Sequence, residues 1–229
     1  MRKTFDQQLE LLSDELIHMG NLCETAIASA VKALKNKDLE LARSAIAADQ
    51  EIDQAEREIE RMCLKLLLQQ QPVARDLRQI SSALKMITDM ERSGDQAADI
   101  SEIVLTMPET GFITELSDIG TMAQDTASMV TRSVEAYARR DLNLAKEVIL
   151  ADDQVDQLFD SVKNALITMI ANNPACGEQA LDLLMITKYL ERIGDHATNI
   201  AEWVEFSILG RHPELDEEAV ENRPGQSER

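Results

Sequence analysis

The sequence predicts an all-α fold made of two tandem antiparallel three-helix bundles related by an internal repeat. Three observations carry this reading. Apolar residues make up 44% of the chain but aromatics only 3%, and the apolar stock of Leu, Ile, Ala, Met and Val among Glu, Gln, Lys and Arg is what long amphipathic helices use. Gly and Pro number only 8 and 5, too few for the repeated tight turns of a sandwich or barrel. Finally, the chain repeats itself. The segment 38–54 (DLELARSAIAADQEIDQ) matches 141–157 (DLNLAKEVILADDQVDQ) at nine of seventeen positions with an offset of 103, and 89–104 (DMERSGDQAADISEIV) matches 189–204 (YLERIGDHATNIAEWV) at eight of sixteen with an offset of 100. A repeat of this length is the signature of duplicated supersecondary units.

Each element follows from its boundaries. Proline cannot continue a helix, so Pro72 and Pro174 end the second helix of each half, and Pro108 with Gly111 separates the halves. Asp38 and Asp141 precede helical segments and serve as N-caps. The expected helices run over about 5–36, 38–70 and 75–106, then 115–140, 141–171 and 178–209. At 1.5 Å per residue each is a rod roughly 45 Å long, and short connections make neighbours antiparallel. In the last helix Leu183, Ile186, Leu190, Ile193, Ala197, Ile200 and Val204 alternate spacings of three and four, a coiled-coil-like seam. The expected units are 1–107 and 112–210, followed by an acidic tail, 211–229, with too few apolar residues to offset its ordering entropy.

Charge and pattern exclude several roles. The formal net charge is −19 and the pI near 4.5, which repels nucleic-acid backbones and anionic lipid. No apolar h-region opens the chain and no apolar run reaches the length of a membrane span, so no direct membrane insertion is expected. Cys23, Cys63 and Cys176 are odd in number and scattered like small core residues, fitting a reducing, cytoplasmic setting. Nothing marks an enzyme: there is no glycine-rich phosphate loop, nucleophile elbow or HExxH. The Glu-x-x-His of di-iron bundles is also missing, because Gly194 stands three residues after Glu191.

The part of each helix kept between the halves is acidic. Glu91 and Asp95 recur as Glu191 and Asp195, and one turn further stand Asp99 and Asn199. On the second helices Asp49 and Asp53 recur as Asp152 and Asp156. Carboxylates at i, i+4 share one face and repel by a few tenths of a kcal/mol per pair, so retaining four such pairs calls for compensation. If the DxxxD and ExxxD helices are adjacent, each half gathers four to five carboxylate or amide oxygens. Such a set suits Fe, Mn, Mg or Ca better than zinc, which usually prefers His and Cys. The ordinary reading of acids on helices is a solvated face, here with Arg92 and Arg192 available to pair; the duplication is what favours a cation site. Asp14, Glu15 and Asp118 lack it and read as surface. Gly94 and Gly194, costly inside a helix, mark a close helix crossing, or else room for a cation cluster or a partner side chain. His196, opposite Gln96 in the repeat, reads as a surface or capping residue. Met86, Met90, Met122 and Met185 read as core filling with an option on a partner surface.

The run 70–78 (QQPVARDLR), the block DMERSGDQAAD at 89–99 and its echo LERIGDHATNIAE at 190–202 resemble the PhoU family of phosphate-specific transport accessory proteins, and the likeness extends from about Phe5 to Gly210. The resemblance implies a cytoplasmic, non-enzymatic, usually homodimeric negative regulator of the phosphate regulon and of phosphate uptake. Its partners would be the phosphate transporter ATPase PstB and the sensor histidine kinase PhoR. It also implies a multinuclear metal cluster, of Fe, Mn, Mg or Zn, at Glu91, Asp95, Asp99, Glu191 and Asp195, with Asp49, Asp53, Asp152 and Asp156 as co-ligands. The sequence leaves open a rival reading in which such clusters, for storage or redox chemistry, are the protein's purpose.

Overall fold

The computed structural model describes residues 2–70, 72–107 and 117–211. Among these residues six long helices run in the order α1 (Arg2–Asn36), α2 (Leu39–Gln70), α3 (Ala74–Thr106), α4 (Ser117–Arg139), α5 (Leu142–Asn172) and α6 (Gly177–Leu209), with a 3-10 turn at Pro174–Cys176 not expected from the sequence. The expected separator around Pro108 and Gly111, and the tail beyond residue 211, lie outside the described residues. Among the described residues no helix is long and apolar enough to cross a membrane.

Two corners are built alike. Lys37 and Arg140 each adopt a left-handed backbone with φ 55°. The amide of the following aspartate reaches back into the finished helix, Asp38 N–H to Ala33 O at 3.0 Å and Asp141 N–H to Ala136 O at 2.9 Å. This is the Schellman pattern. The same aspartates then cap the next helix: Asp38 Oδ1 accepts from Leu41 N, and Asp141 Oδ1 from Asn143 N and Leu144 N. One residue pair therefore ends one rod and starts an antiparallel one; the N-cap role of the two aspartates was expected from the sequence.

Within each half the three helices pack on one another, and the halves join where α3 meets α6 and α1 meets α4. The row α2, α3, α6, α5 forms one layer, with α1 and α4 beneath it. All seven residues of the predicted α6 seam are buried, and the apolar interior of both halves is a single continuous cluster. α3 and α6 cross antiparallel, with Asp89 beside His196 and Asn199, and Asp99 beside Tyr189. Asp89/Asn199 and Tyr189/Asp99 are equivalent pairs under the repeat, so a pseudo-two-fold axis runs through this crossing.

Several small expectations are corrected. His196 is neither surface nor cap: it is buried, with Nδ1 2.9 Å from Asp89 Oδ1, because the repeat axis places it inside the α3/α6 contact. Met86, Met90 and Met122 are fully buried and offer no partner surface; Met185 is the exposed one. Cys23 and Cys63 are core residues, but Cys176 lies partly exposed in the 3-10 turn.

Candidate functional site: two carboxylate clusters

The glycines explain how the acids come together. At Gly94 an added Cβ would lie 2.7 Å from Ile52 Cδ1 and 3.1 Å from Asp49 Oδ1, and at Gly194 3.1 Å from Asp152 Oδ1 and 3.3 Å from Val155 Cγ1. The missing side chains let α2 close on α3, and α5 on α6, so that an aspartate of the outer helix lies directly over the inner backbone. The close-crossing reading of the glycines describes this feature: an aspartate carboxylate and a branched apolar side chain of the outer helix fill each gap.

Around Asp49 the first cluster gathers Asp53 and Glu56 from α2 with Glu91, Asp95 and Asp99 from α3, near enough to act on one another electrostatically. Burial first, then Asp95, Asp53 and Asp99, raises the Asp49 carboxyl to about 6. Burial, followed by Asp95, Glu56, Asp53 and Asp49, raises Glu91 to about 7. Asp95, Asp99 and Glu56 are also shifted upward, each chiefly by burial and then by neighbouring carboxylates. This is the behaviour of like charges crowded at a partly desolvated site. Asp49 Oδ1 is moreover buried with no hydrogen-bond partner, a state that ordinarily costs about 1–3 kcal/mol. Among the described residues, the ion pair on these acids is Arg57 to Asp53 at 2.7 Å. Arg92 is exposed and makes no ion pair among the described residues, while Arg192 acts on Asp99 from across the seam.

The second cluster, of Asp152 and Asp156 on α5 with Glu191 and Asp195 on α6, repeats the plan with a difference. Burial, then Asp195, Asp156 and Glu191, raises Asp152 to about 6. Here a cation belongs to the site: Lys188 pairs with Glu191 and offsets part of the repulsion on Asp195. Its counterpart in the first half is Thr88. Asn199, which stands at the Asp99 position, does not join the cluster but donates to Asp89 across the seam at 3.3 Å.

The structure therefore brings together every acid singled out from the sequence, in two sets of oxygen donors. Glu56 was missed because the search followed duplication, and its counterpart at 159 is Phe; the signal was there, since 49, 53 and 56 share a helix face. The donor chemistry suits a hard cation, and the orphaned Asp49 oxygen is what such an ion would satisfy. As the side chains stand, no three His, Cys, Asp or Glu groups among the described residues converge on one ion position.

Both halves match the family model for the PhoU domain, over residues 16–104 and 119–204. The chain belongs to the PhoU family. It is 36% identical to the phosphate-specific transport system accessory protein PhoU homolog of Clostridium acetobutylicum, over 94% of this chain and 99% of that one. It is also 36% identical to the Pseudomonas aeruginosa protein of the same description, over 97% and 94%. Among solved structures it resembles the crystal structure of PhoU from Pseudomonas aeruginosa with a TM-score of 0.85 at 34% identity, covering 90% of this chain and all of the other. The phosphate transport system regulatory protein PhoU from Streptococcus pneumoniae gives 0.83 at 28%, covering 90% and 98%. The two matched stretches each contain one acid cluster.

Proposed function

We propose that this chain is a non-enzymatic accessory protein of phosphate transport that holds the phosphate regulon and phosphate uptake down when phosphate is plentiful. It would do so in the cytoplasm as a homodimer, bridging the transporter ATPase PstB and the sensor histidine kinase PhoR. The observation that carries this reading is full-length similarity, in both halves, to proteins described as phosphate-specific transport accessory or regulatory proteins. The architecture supports it. Six rods sharing one core present long rigid faces to two partners at once, and a strongly acidic surface associates rapidly with basic patches, at rates that fall with salt.

The acid clusters are the proposed docking determinants, alone or with bound metal. Where metal binds, Asp49, Asp53, Glu91, Asp95 and Asp99 would hold it in the first half and Asp152, Asp156, Glu191 and Asp195 in the second. The ion would neutralise the mutual repulsion and draw α2 to α3 and α5 to α6. The unpartnered Asp49 oxygen favours this over a purely solvated face.

In a strain whose chromosomal copy is deleted, the wild-type chain should restore repression of a phosphate-regulated reporter, and Glu91→Lys/Asp95→Lys should not. Full repression by the double variant at normal protein levels would remove the clusters from docking; failure of the wild type to repress would remove the regulatory reading itself. Elemental mass spectrometry of untagged protein, beside Glu91→Ala/Asp95→Ala/Glu191→Ala/Asp195→Ala, tests the metal: the reading requires stoichiometric metal that disappears in the variant.

A further inference from the structure

Against a net charge of −19, one place among the described residues collects three guanidiniums around a single carboxylate. Arg75 and Arg78 stand on the first turns of α3, and Arg140 at the C-terminal corner of α4 faces them. Arg140 Nη1 donates to Gln79 Oε1 at 3.2 Å, and the Tyr137 hydroxyl, from the same end of α4, donates to Gln79 O at 2.8 Å. These two bonds tie the corner to α3 and set the guanidinium of Arg140 near those of Arg75 and Arg78, whose charges oppose its own. Arg78 also lies against the C-terminus of α6, since a Cβ at Gly210 would be 3.5 Å from its Cδ and Nε. The carbonyl end of a helix favours a cation there.

The arrangement is costly as it stands. Arg78 Nε is enclosed with no acceptor, and neither Arg75 nor Arg78 makes an ion pair among the described residues. Asp76 supplies one neighbouring carboxylate, against three guanidiniums. Val73, the N-cap of α3, provides no side-chain acceptor for the first amides of a 33-residue helix, so the positive end of that helix points the same way.

We infer that Arg75, Arg78 and Arg140, at the junction of the α3 N-terminus with the α4 corner, form a binding site for a small tetrahedral oxyanion of the phosphate type. Planar guanidinium forks from two helices match several oxygens of one anion, where lysines would act only as point charges. Because the protein as a whole repels anions, affinity must come from this local set. Arg78 precedes Glu91 by 13 residues on α3, roughly 20 Å of helix, and the site does not depend on the regulatory reading, since it is measured on the isolated protein.

The test is isothermal titration of the full chain with inorganic phosphate at pH 7.5, in chelator and at ionic strength held constant with chloride. Sulfate and acetate serve as further titrants. Wild type should bind one phosphate per chain saturably. Arg75→Gln, exposed and free of structural bonds, and Arg140→Gln should each weaken binding at least tenfold, while Arg43→Gln on α2 leaves it unchanged. Sulfate binding at the same place supports an oxyanion site. No saturable phosphate binding, equal affinity in the arginine variants, or preference for acetate over phosphate would overturn it. So would binding seen only when chelator is omitted, because that phosphate would sit on metal held by the carboxylates.

Discussion

The glycines at the two crossings predict unequal responses to the same substitution. Replacing a mid-helix Gly by Ala gains up to about 1 kcal/mol of helix propensity. At Gly94 the new methyl would stand 2.7 Å from Ile52 Cδ1, 3.2 Å from Ile52 Cγ2 and 3.1 Å from Asp49 Oδ1. Ile52 is completely buried. Its Cδ1 can turn away, but Cγ2 moves only with a change of χ1, which the helix restricts for a β-branched residue, and overpacking of this kind costs about 1–3 kcal/mol. Gly94→Ala should therefore destabilise the chain by about 1 kcal/mol net. At Gly194 the contacts are 3.1 Å to Asp152 Oδ1 and 3.3 Å to Val155 Cγ1, relieved by a few tenths of an ångström, so the propensity gain roughly cancels the clash and the net change is near zero. Urea unfolding of both variants in chelator, followed by circular dichroism, measures the difference. If Gly94→Ala is as stable as wild type, or Gly194→Ala is the more damaged, the close-crossing account of these glycines is wrong.

Three further outcomes follow from the same contacts. In metal-free protein the folded state holds protons on Asp49, Glu91 and Asp152 that the unfolded chain has released. Stability should thus fall as pH rises from about 4 to about 7, and Asp49→Asn/Glu91→Gln should gain about 1–2 kcal/mol over wild type at pH 7.5, after allowance for solvent screening, yet almost nothing at pH 4. Thermal melts at the two pH values decide it, and an equal gain at both would refute the crowding. Asp89→Ala should cost about 2–3 kcal/mol in urea unfolding, because it leaves the buried His196 Nδ1–H and the Asn199 amide without their shared acceptor. Asp141→Ala should cost about 1 kcal/mol by uncapping α5, and a loss within error would show that the Schellman corner alone holds that turn.

How much of this was legible in the chain depends on what a repeat can and cannot encode. Helix type, the Asp38 and Asp141 corners and the α6 seam are local matters of propensity, capping and period, and they were readable. The acid pairs were readable because duplication singled them out. The same criterion hid Glu56, opposite Phe159, and misplaced His196, opposite Gln96, since a residue that breaks the repeat looks incidental. A repeat also says which positions are equivalent without saying which of them meet. That Asp89 reaches Asn199 while Asp99 reaches Tyr189 follows from the antiparallel α3/α6 crossing, a tertiary choice set by two apolar seams with no one-dimensional trace.

The departures from symmetry make the two clusters chemically different. Cluster one adds Glu56 and Asp99 to the shared acids and has Thr88 where cluster two has Lys188. Cluster two has Phe159 in place of Glu56, and Lys188 lies 5.5 Å from the Phe159 ring centroid while pairing with Glu191. An ion entering cluster two must compete with an ammonium already in place, whereas one entering cluster one meets guanidiniums at its edges, Arg57 held to Asp53 and Arg192 acting on Asp99 from across the seam. If the clusters bind divalent cations, cluster one should fill first. Titration of chelator-stripped protein with Mn(II), read by paramagnetic broadening of α3 and α6 amide signals, should affect the neighbours of Asp95 before those of Asp195. Lys188→Thr/Phe159→Glu should bring the two into step. Simultaneous filling in wild type, or no change in the variant, would show that these substitutions do not set cation preference, and that the raised carboxylates of the two halves serve a purpose indifferent to the extra charge.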